Sequence, residues 1–194
     1  MKLTYSDRTV DLLIEGADDT IRQVFVAEAQ RQLAAAKEES QPDGVVQYVD
    51  GARGAPLESV KMNGGVLFEF YYTTSIVKRA IETLENTSPL DTGNYINHHE
   101  VFVDGALVTD LESLRTVRRV VIANTMNYSR IIERGMGKHV PWSKQPQVPA
   151  EGVYTAAAKT LTREFGQIAD IALTWVEIDG QSGRTPALAI ERRQ

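Results

Sequence analysis

The stretch Val101-Phe102-Val103-Asp104-Gly105 joins an apolar run to a turn signal, and the same combination occurs twice more in the chain. Val49-Asp50-Gly51 and Ile178-Asp179-Gly180 also place Asp-Gly directly after a strand-like segment. Because Asp-Gly tolerates the positive φ angles of tight turns, each occurrence predicts a β-hairpin. None lies in an Asp-x-Asp-x-Asp-Gly loop, so a turn is a simpler interpretation than a calcium site.

Three segments between these strands have helical periodicity. The first follows Asp18 and ends before Pro42, the second runs from Thr74 to about Asn86, and the third from about Ala150 to Phe165. The apolar stripe of the first helix consists of Ile21, Val24, Phe25, Ala29 and Leu33. A further one or two helical turns are expected between Met126 and Arg134.

The remaining apolar runs predict strands. They are Val45–Val49, Val66–Tyr72, Val120–Asn124, Ile168–Ile178 and Ala187–Ile190. Pro186 and the charged C-terminal residues suit a strand at the edge of a sheet. The order of the elements predicts an α+β fold, with a mainly antiparallel or mixed sheet and about three helices packed on it. We expect a single domain over residues 1–194, with an exposed loop at about 135–149.

The composition is that of a globular protein and excludes several classes of site. The chain has 194 residues, of which 42% are hydrophobic and 24% charged, and it has no cysteine. Disulfides, thiolate nucleophiles and cysteine-based zinc sites are therefore excluded. A net charge of −5 argues against a general grip on nucleic-acid phosphates. No segment approaches the roughly 18–20 consecutive apolar residues that are needed to cross a bilayer. The segment that begins at Met1 also lacks the apolar run of a signal peptide, so we expect the protein to be made in a cytoplasm.

Candidate catalytic groups are few. Adjacent residues of a strand point to opposite faces, so His98 and His99 cannot both bind one metal without distortion. His139 could join one of them, and a small metal-dependent hydrolase using His98, His99, Glu100 and His139 stays open as an alternative. The chain has neither a Gly-x-Ser-x-Gly elbow nor a phosphate-binding Gly-x-x-x-x-Gly-Lys-Ser/Thr loop. We assign no catalytic residue, no cofactor and no metal ligand, although paired carboxylates can be spatial and leave no sequence motif.

The segment Ser88-Pro89-Leu90-Asp91-Thr92-Gly93-Asn94-Tyr95 predicts a rigid turn, which we call the elbow. Pro89 ends a helix, and Asp91 and Thr92 can accept hydrogen bonds from nearby backbone N–H groups. Gly93 permits a positive φ. The elbow would start the strand around His98–Val103, and by itself it is no more than a helix-to-strand turn.

The elbow resembles the Ser/Ala-Pro-Val-Asp-Thr-Gly-x-Tyr/Leu signature of a phage tail-component family, whose members are called tail-completion, neck or head–tail joining proteins. A second segment resembles the apolar strand, the turn, the Tyr-Ala/Ser pair and the Glu-x-Gly that follow it in that family. It comprises Val120-Val121-Ile122-Ala123-Asn124, Tyr128-Ser129, Ile131-Ile132 and Glu133-Arg134-Gly135. The resemblance covers roughly residues 74–178. Asn94 departs from it, because arginine is common at that position.

The resemblance implies a non-enzymatic virion protein of a tailed bacteriophage, assembled in the cytoplasm of the bacterial host. It would form a ring at the head–tail junction, as a tail-completion, neck or tail-terminator protein, and help attach the tail to the DNA-filled head. Its partners would be copies of itself, a hexamer rather than a dodecamer, with connector or head-closure and tail-tube proteins beside it. Phage DNA would pass through the lumen without specific binding, helped by an acidic wall, and no membrane is involved.

The residues that carry the resemblance receive structural or interface roles. Gly93 and Gly135 would serve backbone geometry, Asp91 and Thr92 would hold the elbow, and Tyr95 and Tyr128 would pack beneath it or at an interface. Glu133 would pair with an arginine in the same chain or a neighbouring one. The whole set is Ser88, Pro89, Asp91, Thr92, Gly93, Tyr95, Asn124, Tyr128, Glu133 and Gly135. A toxin–antitoxin or regulatory module that binds a host protein is a third possibility.

Overall fold

The computed structural model describes residues 4–6, 9–13, 19–61, 63–135, 145–181 and 183–193. The chain divides into two compact units, Met1–Tyr72 and Thr73–Gln194. The expectation of one domain over residues 1–194 stays a prediction. The expected loop at 135–149 lies largely outside the described residues, since only Gly135 and residues 145–149 belong to them.

The first unit joins a long helix to an antiparallel sheet. Its strands are β1 (Thr4–Ser6), β2 (Thr9–Leu13), β3 (Gly44–Val49), β4 (Ala52–Arg53) and β5 (Gly65–Tyr71), in the order β1-β2-β5-β3-β4, and helix α1 spans Asp19–Ser40. Phe25 and Ala29 of α1 are buried in one apolar cluster with Phe68 of β5. The expected stripe is thus confirmed in part, because Ile21 and Val24 are 49% and 65% exposed.

In the residues that the structure describes, the second unit contains a five-stranded antiparallel sheet and three α-helices. Helix α2 spans Thr73–Thr87, α3 spans Ser129–Glu133 and α4 spans Val153–Phe165. The strands are β6 (His99–Val103), β7 (Ala106–Val108), β8 (Arg119–Asn124), β9 (Ala169–Val176) and β10 (Thr185–Arg192), in the order β7-β6-β8-β10-β9. Helix α4 packs on α2 and on β9. The α+β class is confirmed, and in the described part of the chain every strand pair is antiparallel.

Two of the three Asp-Gly pairs form the expected tight hairpins. Asp50 and Gly51 have φ angles of 52° and 81° between β3 and β4, and Asp104 and Gly105 have 50° and 83° between β6 and β7. The third pair lies in a longer connection, because β9 ends at Val176 and β10 begins at Thr185. That connection still joins antiparallel neighbours.

The expectation that the last strand lies at a sheet edge is wrong. Strand β10 is hydrogen-bonded to β8 on one side and β9 on the other, so β7 and β9 are the edge strands of this sheet. Pro186 is tolerated because the pairing with β8 begins only at Ala187, one residue later. The charged residues Glu191 and Arg192 are the last two of β10, and their side chains reach solvent there.

Strand β8 is buried on both faces where it approaches its C-terminal end. Ile122, Ala123 and Asn124 are all 0% exposed, although adjacent side chains of a strand point in opposite directions. Other segments of the chain therefore cover both faces of the sheet at this end of β8. The elbow, which precedes β6 in the chain, lies at this end, because the Asn124 side chain is hydrogen-bonded to the elbow backbone.

Candidate functional site

The elbow begins where α2 ends and is held at both sides by side chains from other segments. Gly93 has a φ of +79°, as its turn position requires. The Leu90 backbone N–H donates to Gln145 Oε1 at 2.6 Å, and Gln145 Nε2 donates back to the Leu90 carbonyl oxygen at 2.9 Å. One side chain thus pairs with both backbone groups of an elbow residue, as a neighbouring strand would.

Asn124 joins the two segments that carry the family resemblance. Its Nδ2 donates to the carbonyl oxygen of Tyr95 at 2.7 Å, and its Oδ1 accepts from the backbone N–H of Met126 at 3.0 Å. The side chain is completely buried, so a lost partner would leave a polar group unsatisfied in the interior. The last residue of the elbow and the turn after β8 are therefore fixed to each other, although 29 residues separate them.

A chain of hydrogen bonds runs from the end of α2 through His99 to α4. Ser88 Oγ donates to the Leu84 carbonyl oxygen at 2.6 Å and therefore accepts from His99 Nε2 at 2.8 Å. His99 Nδ1 is then the acceptor for the Tyr154 hydroxyl at 2.8 Å. These partners define a neutral imidazole with its proton on Nε2. Burial, together with the charge of His98, lowers the pKa of His99 to about 3.

Ser88 and His99 are as close as a nucleophile and its general base, but the direction of their hydrogen bond is the reverse of the one that catalysis requires. In an activated serine the hydroxyl proton points to the imidazole. Here the Ser88 hydroxyl proton is committed to Leu84, and the histidine is the donor. Ser88 is also 0% exposed. This arrangement suits a fixed structural junction between helix, strand and helix.

Glu133 caps the N-terminus of α4. Its Oε2 accepts from the Tyr154 backbone N–H at 2.8 Å, and its Oε1 accepts from the Thr155 backbone N–H at 2.9 Å and the Thr155 hydroxyl at 2.6 Å. A carboxylate is favourable there because the first N–H groups of a helix have no partner within it and the helix dipole is positive. Within its own chain the Glu133 carboxylate thus binds the N-terminus of α4 and not the expected arginine. The residue is only 4% exposed.

Two glycines allow the chain to approach this cap. Gly135, two residues after the carboxylate, has a φ of +61°, in agreement with its expected role in backbone geometry. Gly152, the residue before α4, has a φ of +110°. A Cβ at Gly152 would lie 2.5 Å from both the carbonyl oxygen and Oε1 of Glu133. Only glycine fits between the cap and the helix it caps.

The rings of Tyr95 and Tyr128 are neighbours. Tyr95 is 3% exposed and its ring packs edge-on against His99, with 5.2 Å between ring centroids. Its ring centroid is 6.1 Å from that of Tyr128, which is only partly buried. Burial and the nearby Glu133 carboxylate raise the pKa of Tyr95 well above its ordinary value. The Tyr95 hydroxyl is buried, and no described residue is hydrogen-bonded to it.

A cavity of about 380 Å³ opens between the elbow and α3. It is lined by Pro89, Asp91, Thr92, Gly93, Asn94, Tyr95, Tyr128 and Ile132. We call it the elbow cleft. Asp91 is its only ionisable carboxylate among these residues, and Leu90 beside it is 62% exposed. The cleft therefore combines aromatic and apolar walls with one negative charge.

Asp91 and Thr92 contribute less to the elbow than expected. Asp91 is exposed, and its carboxylate accepts no hydrogen bond from the residues that the structure describes. Thr92 Oγ1 accepts from the Asn94 backbone N–H at a long 3.4 Å. The shape of the elbow comes instead from Gln145, from Asn124 and from the hydrogen bond that the Asn97 backbone N–H donates to the Gly93 carbonyl oxygen.

The histidines of the alternative enzyme interpretation do not form a metal cluster in the described residues. His98 Nδ1 is engaged with the Asn94 carbonyl oxygen, and both ring nitrogens of His99 are engaged in the interior. Glu100 follows on β6, and His139 lies outside the described residues. Across residues 19–135 and 145–193, with single gaps at 62 and 182, no group of three or more His, Asp and Glu could hold a metal ion.

Three residues of the junction were not anticipated: Gln145, Gly152 and Tyr154. Each acts on a partner far away in the chain, so no local pattern marks it. A glycine directly before the periodic segment of α4 was the one available signal for Gly152. The role of His99 was also missed, because its partners Ser88 and Tyr154 lie 11 and 55 residues away.

Comparison with family models, with curated proteins and with solved structures finds no match to the chain. Among the helices of the described residues, none has the length and apolar character that a bilayer crossing requires.

Proposed function

We propose that this chain is a structural virion protein of a tailed bacteriophage. It forms a ring at the head–tail junction, as a tail-completion, neck or tail-terminator protein, and helps to attach the tail to the DNA-filled head. The proposal begins from the resemblance of Ser88–Tyr95 and Val120–Gly135 to a phage tail-component family.

One observation carries the proposal furthest: the two resembling segments, distant in the chain, meet in a single hydrogen-bonded junction. Asn124 binds the backbone of Tyr95, and Glu133 binds the start of α4. Residues of a shared signature are expected to meet in this way when they preserve a common framework. The polar groups of Ser88, Asn124 and Glu133 are engaged in internal hydrogen bonds, which favours a structural role over a catalytic one.

The surface of the second unit provides patches suited to assembly. A closed ring requires two different patches on each subunit, each meeting its counterpart on the next copy. Both β7 and β9 are edge strands of the sheet. Leu107 on β7 and Leu90 in the elbow are 53% and 62% exposed. The connector or head-closure protein and the tail-tube protein would occupy the two faces of the ring, and DNA would pass through its lumen without specific binding.

The test is the mass distribution of the purified chain by mass photometry and sedimentation velocity over a range of concentrations. A hexamer has a mass of about 129 kDa and a dodecamer about 258 kDa, from a chain of 21.5 kDa. One dominant species of either mass supports the proposal. A chain that remains monomeric at the highest soluble concentration contradicts self-assembly into a ring. Stoichiometric bound metal, measured on the same sample and lost in a His99→Ala variant, would favour the hydrolase instead.

A further inference from the structure

We propose that the elbow cleft is one half of the contact between neighbouring copies, and that it receives the Arg118 side chain of the next copy. The inference rests on the proposed ring and names the two surfaces that would build it. It concerns residues of the second unit alone.

The cleft has the chemistry that recognises a guanidinium group. Arginine is planar, stacks on aromatic faces and donates to carboxylates in a fixed fork. The partly exposed ring of Tyr128 provides an aromatic face, and Asp91 provides a carboxylate with no ion-pair partner among the described residues. Pro89 and Ile132 supply apolar walls for the aliphatic part of the side chain.

Arg118 is the complementary group on the opposite end of the sheet. Several arginines form ion pairs within the chain, as Arg79 does with Glu164 and Arg193 with Asp170. Arg118 is exposed, and its guanidinium has no hydrogen-bond or ion-pair partner among the described residues. Arg119 beside it is also exposed, but Glu191 lies directly opposite in the register with β10. Arg118 is therefore the less compensated charge.

The positions of the two surfaces suit a ring. The elbow is fixed to Asn124 at the C-terminal end of β8, and Arg118 immediately precedes the N-terminal end at Arg119. A strand of six residues spans about 17–20 Å. One copy thus presents an anionic, aromatic cleft at one end of a rigid sheet and a cation at the other. Such a pair forms a heterologous contact, which closes into a ring when the rotation between neighbouring copies adds up to a full turn.

Site-directed disulfide cross-linking tests the contact, and it is clean because the chain has no cysteine. Asp91→Cys protein is mixed with Arg118→Cys protein under mild oxidation, and dimers containing one copy of each are measured. The matched control replaces Arg118→Cys with Arg163→Cys, an exposed arginine on α4. We expect the first mixture to yield at least about tenfold more mixed dimer than the control, because only held surfaces cross-link efficiently.

Charge reversal provides a second measurement. Asp91→Arg and Arg118→Asp should each raise the concentration needed for half-assembly by about tenfold. An equimolar mixture of the two variants should restore assembly, because every contact in an alternating ring then pairs an arginine with an aspartate. The double variant, which exchanges the charges, should recover assembly. If the wild type assembles but cross-linking is no better than in the control, this contact is wrong and the ring stands. If the wild type does not assemble at all, both the contact and the proposed ring are wrong.

Discussion

Glu133 illustrates how a single carboxylate can fix two distant segments. Its oxygens accept hydrogen bonds from two backbone N–H groups and one hydroxyl at the start of α4. At the same time the residue belongs to α3, directly after the strand and turn that hold the elbow. Removing the charge therefore affects the junction as well as the helix. Hydrogen bonds to a charged group are stronger than neutral ones.

Replacing Glu133 by glutamine tests this role. The amide retains one acceptor but presents an NH₂ group to backbone donors, so we expect Glu133→Gln to lower the free energy of unfolding by about 1–3 kcal/mol. Urea denaturation followed by circular dichroism measures the change. The control is Glu85→Gln on the exposed face of α2, which should leave the midpoint unchanged. Equal midpoints for the two variants would refute the capping role.

Gly152 provides a second test at the same place. A Cβ there meets Glu133 at 2.5 Å, whereas a Cβ at Gly105 meets no atom within 4 Å. Both glycines have positive φ angles, but Gly152 also has a ψ of 153°, a backbone region that is almost confined to glycine, so alanine there adds a larger backbone cost to the clash. Gly152→Ala should therefore destabilise the protein by about 2 kcal/mol more than Gly105→Ala. The comparison uses thermal and urea unfolding, and similar losses would argue against the close approach.

Residue roles differed in how far sequence reasoning could reach them. Gly93 and Gly135 were predictable because a local turn demands their backbone conformation. Gly152 and Gln145 were not, since their importance arises from partners at Glu133 and Leu90. Within the described residues the Glu133 carboxylate binds a helix N-terminus, which leaves no charge in the sequence to signal it. An arginine partner from a neighbouring copy stays a prediction.

Elements with local signals were predicted well. Helix α1, the end of α2 at Ser88-Pro89 and the two tight Asp-Gly hairpins follow from periodicity, from proline and from turn chemistry. The order of strands is non-local, and so the central position of β10 was missed. Charges at the end of a strand reach solvent whether the strand is at the edge or in the centre, which made them a poor guide to its place.

His99 links α2, β6 and α4, and its titration should make the stability of the fold depend on pH. The pKa of His99 is lowered from 6.5 to about 3, chiefly by burial. Above pH 6.5 His99 is mostly neutral in both the folded and the unfolded chain, so its protonation does not reduce the free energy of unfolding. Below that pH the unfolded chain takes up a proton and the folded chain does not, until about pH 3. Stability should therefore fall as pH falls between these values.

We expect His99 to account for a loss on the order of 1–2 kcal/mol between pH 7 and pH 5. Urea unfolding at both values measures it. This window avoids the carboxyls with lowered pKa values, such as those of Glu28 and Glu112, which lose their stabilising effect only below their unfolded value of 4.5. His99→Gln should be less stable at pH 7 but show a flatter pH dependence. A slope in His99→Gln equal to that of the wild type would contradict the account.

At the scale of the whole molecule, the described residues form two antiparallel sheets, and the chain divides into two compact units. The resemblance to a phage tail-component family covers the second unit in particular, and the elbow cleft and the edge strands β7 and β9 all belong to it. The α+β class could be predicted because segments with helical spacing of apolar residues alternate along the chain with short strand-like apolar runs. The division into two units could not, because it depends on which strands pair.

The most direct test of the central claim is electron microscopy of the purified chain at the concentration where mass photometry shows its largest species. The account predicts closed rings with a central channel and a single rotational symmetry, sixfold by preference. Charge-reversed Arg118→Asp protein, prepared at the same concentration, should show few rings. Monomers, open aggregates or compact dimers without a channel in the wild-type sample would contradict the claim.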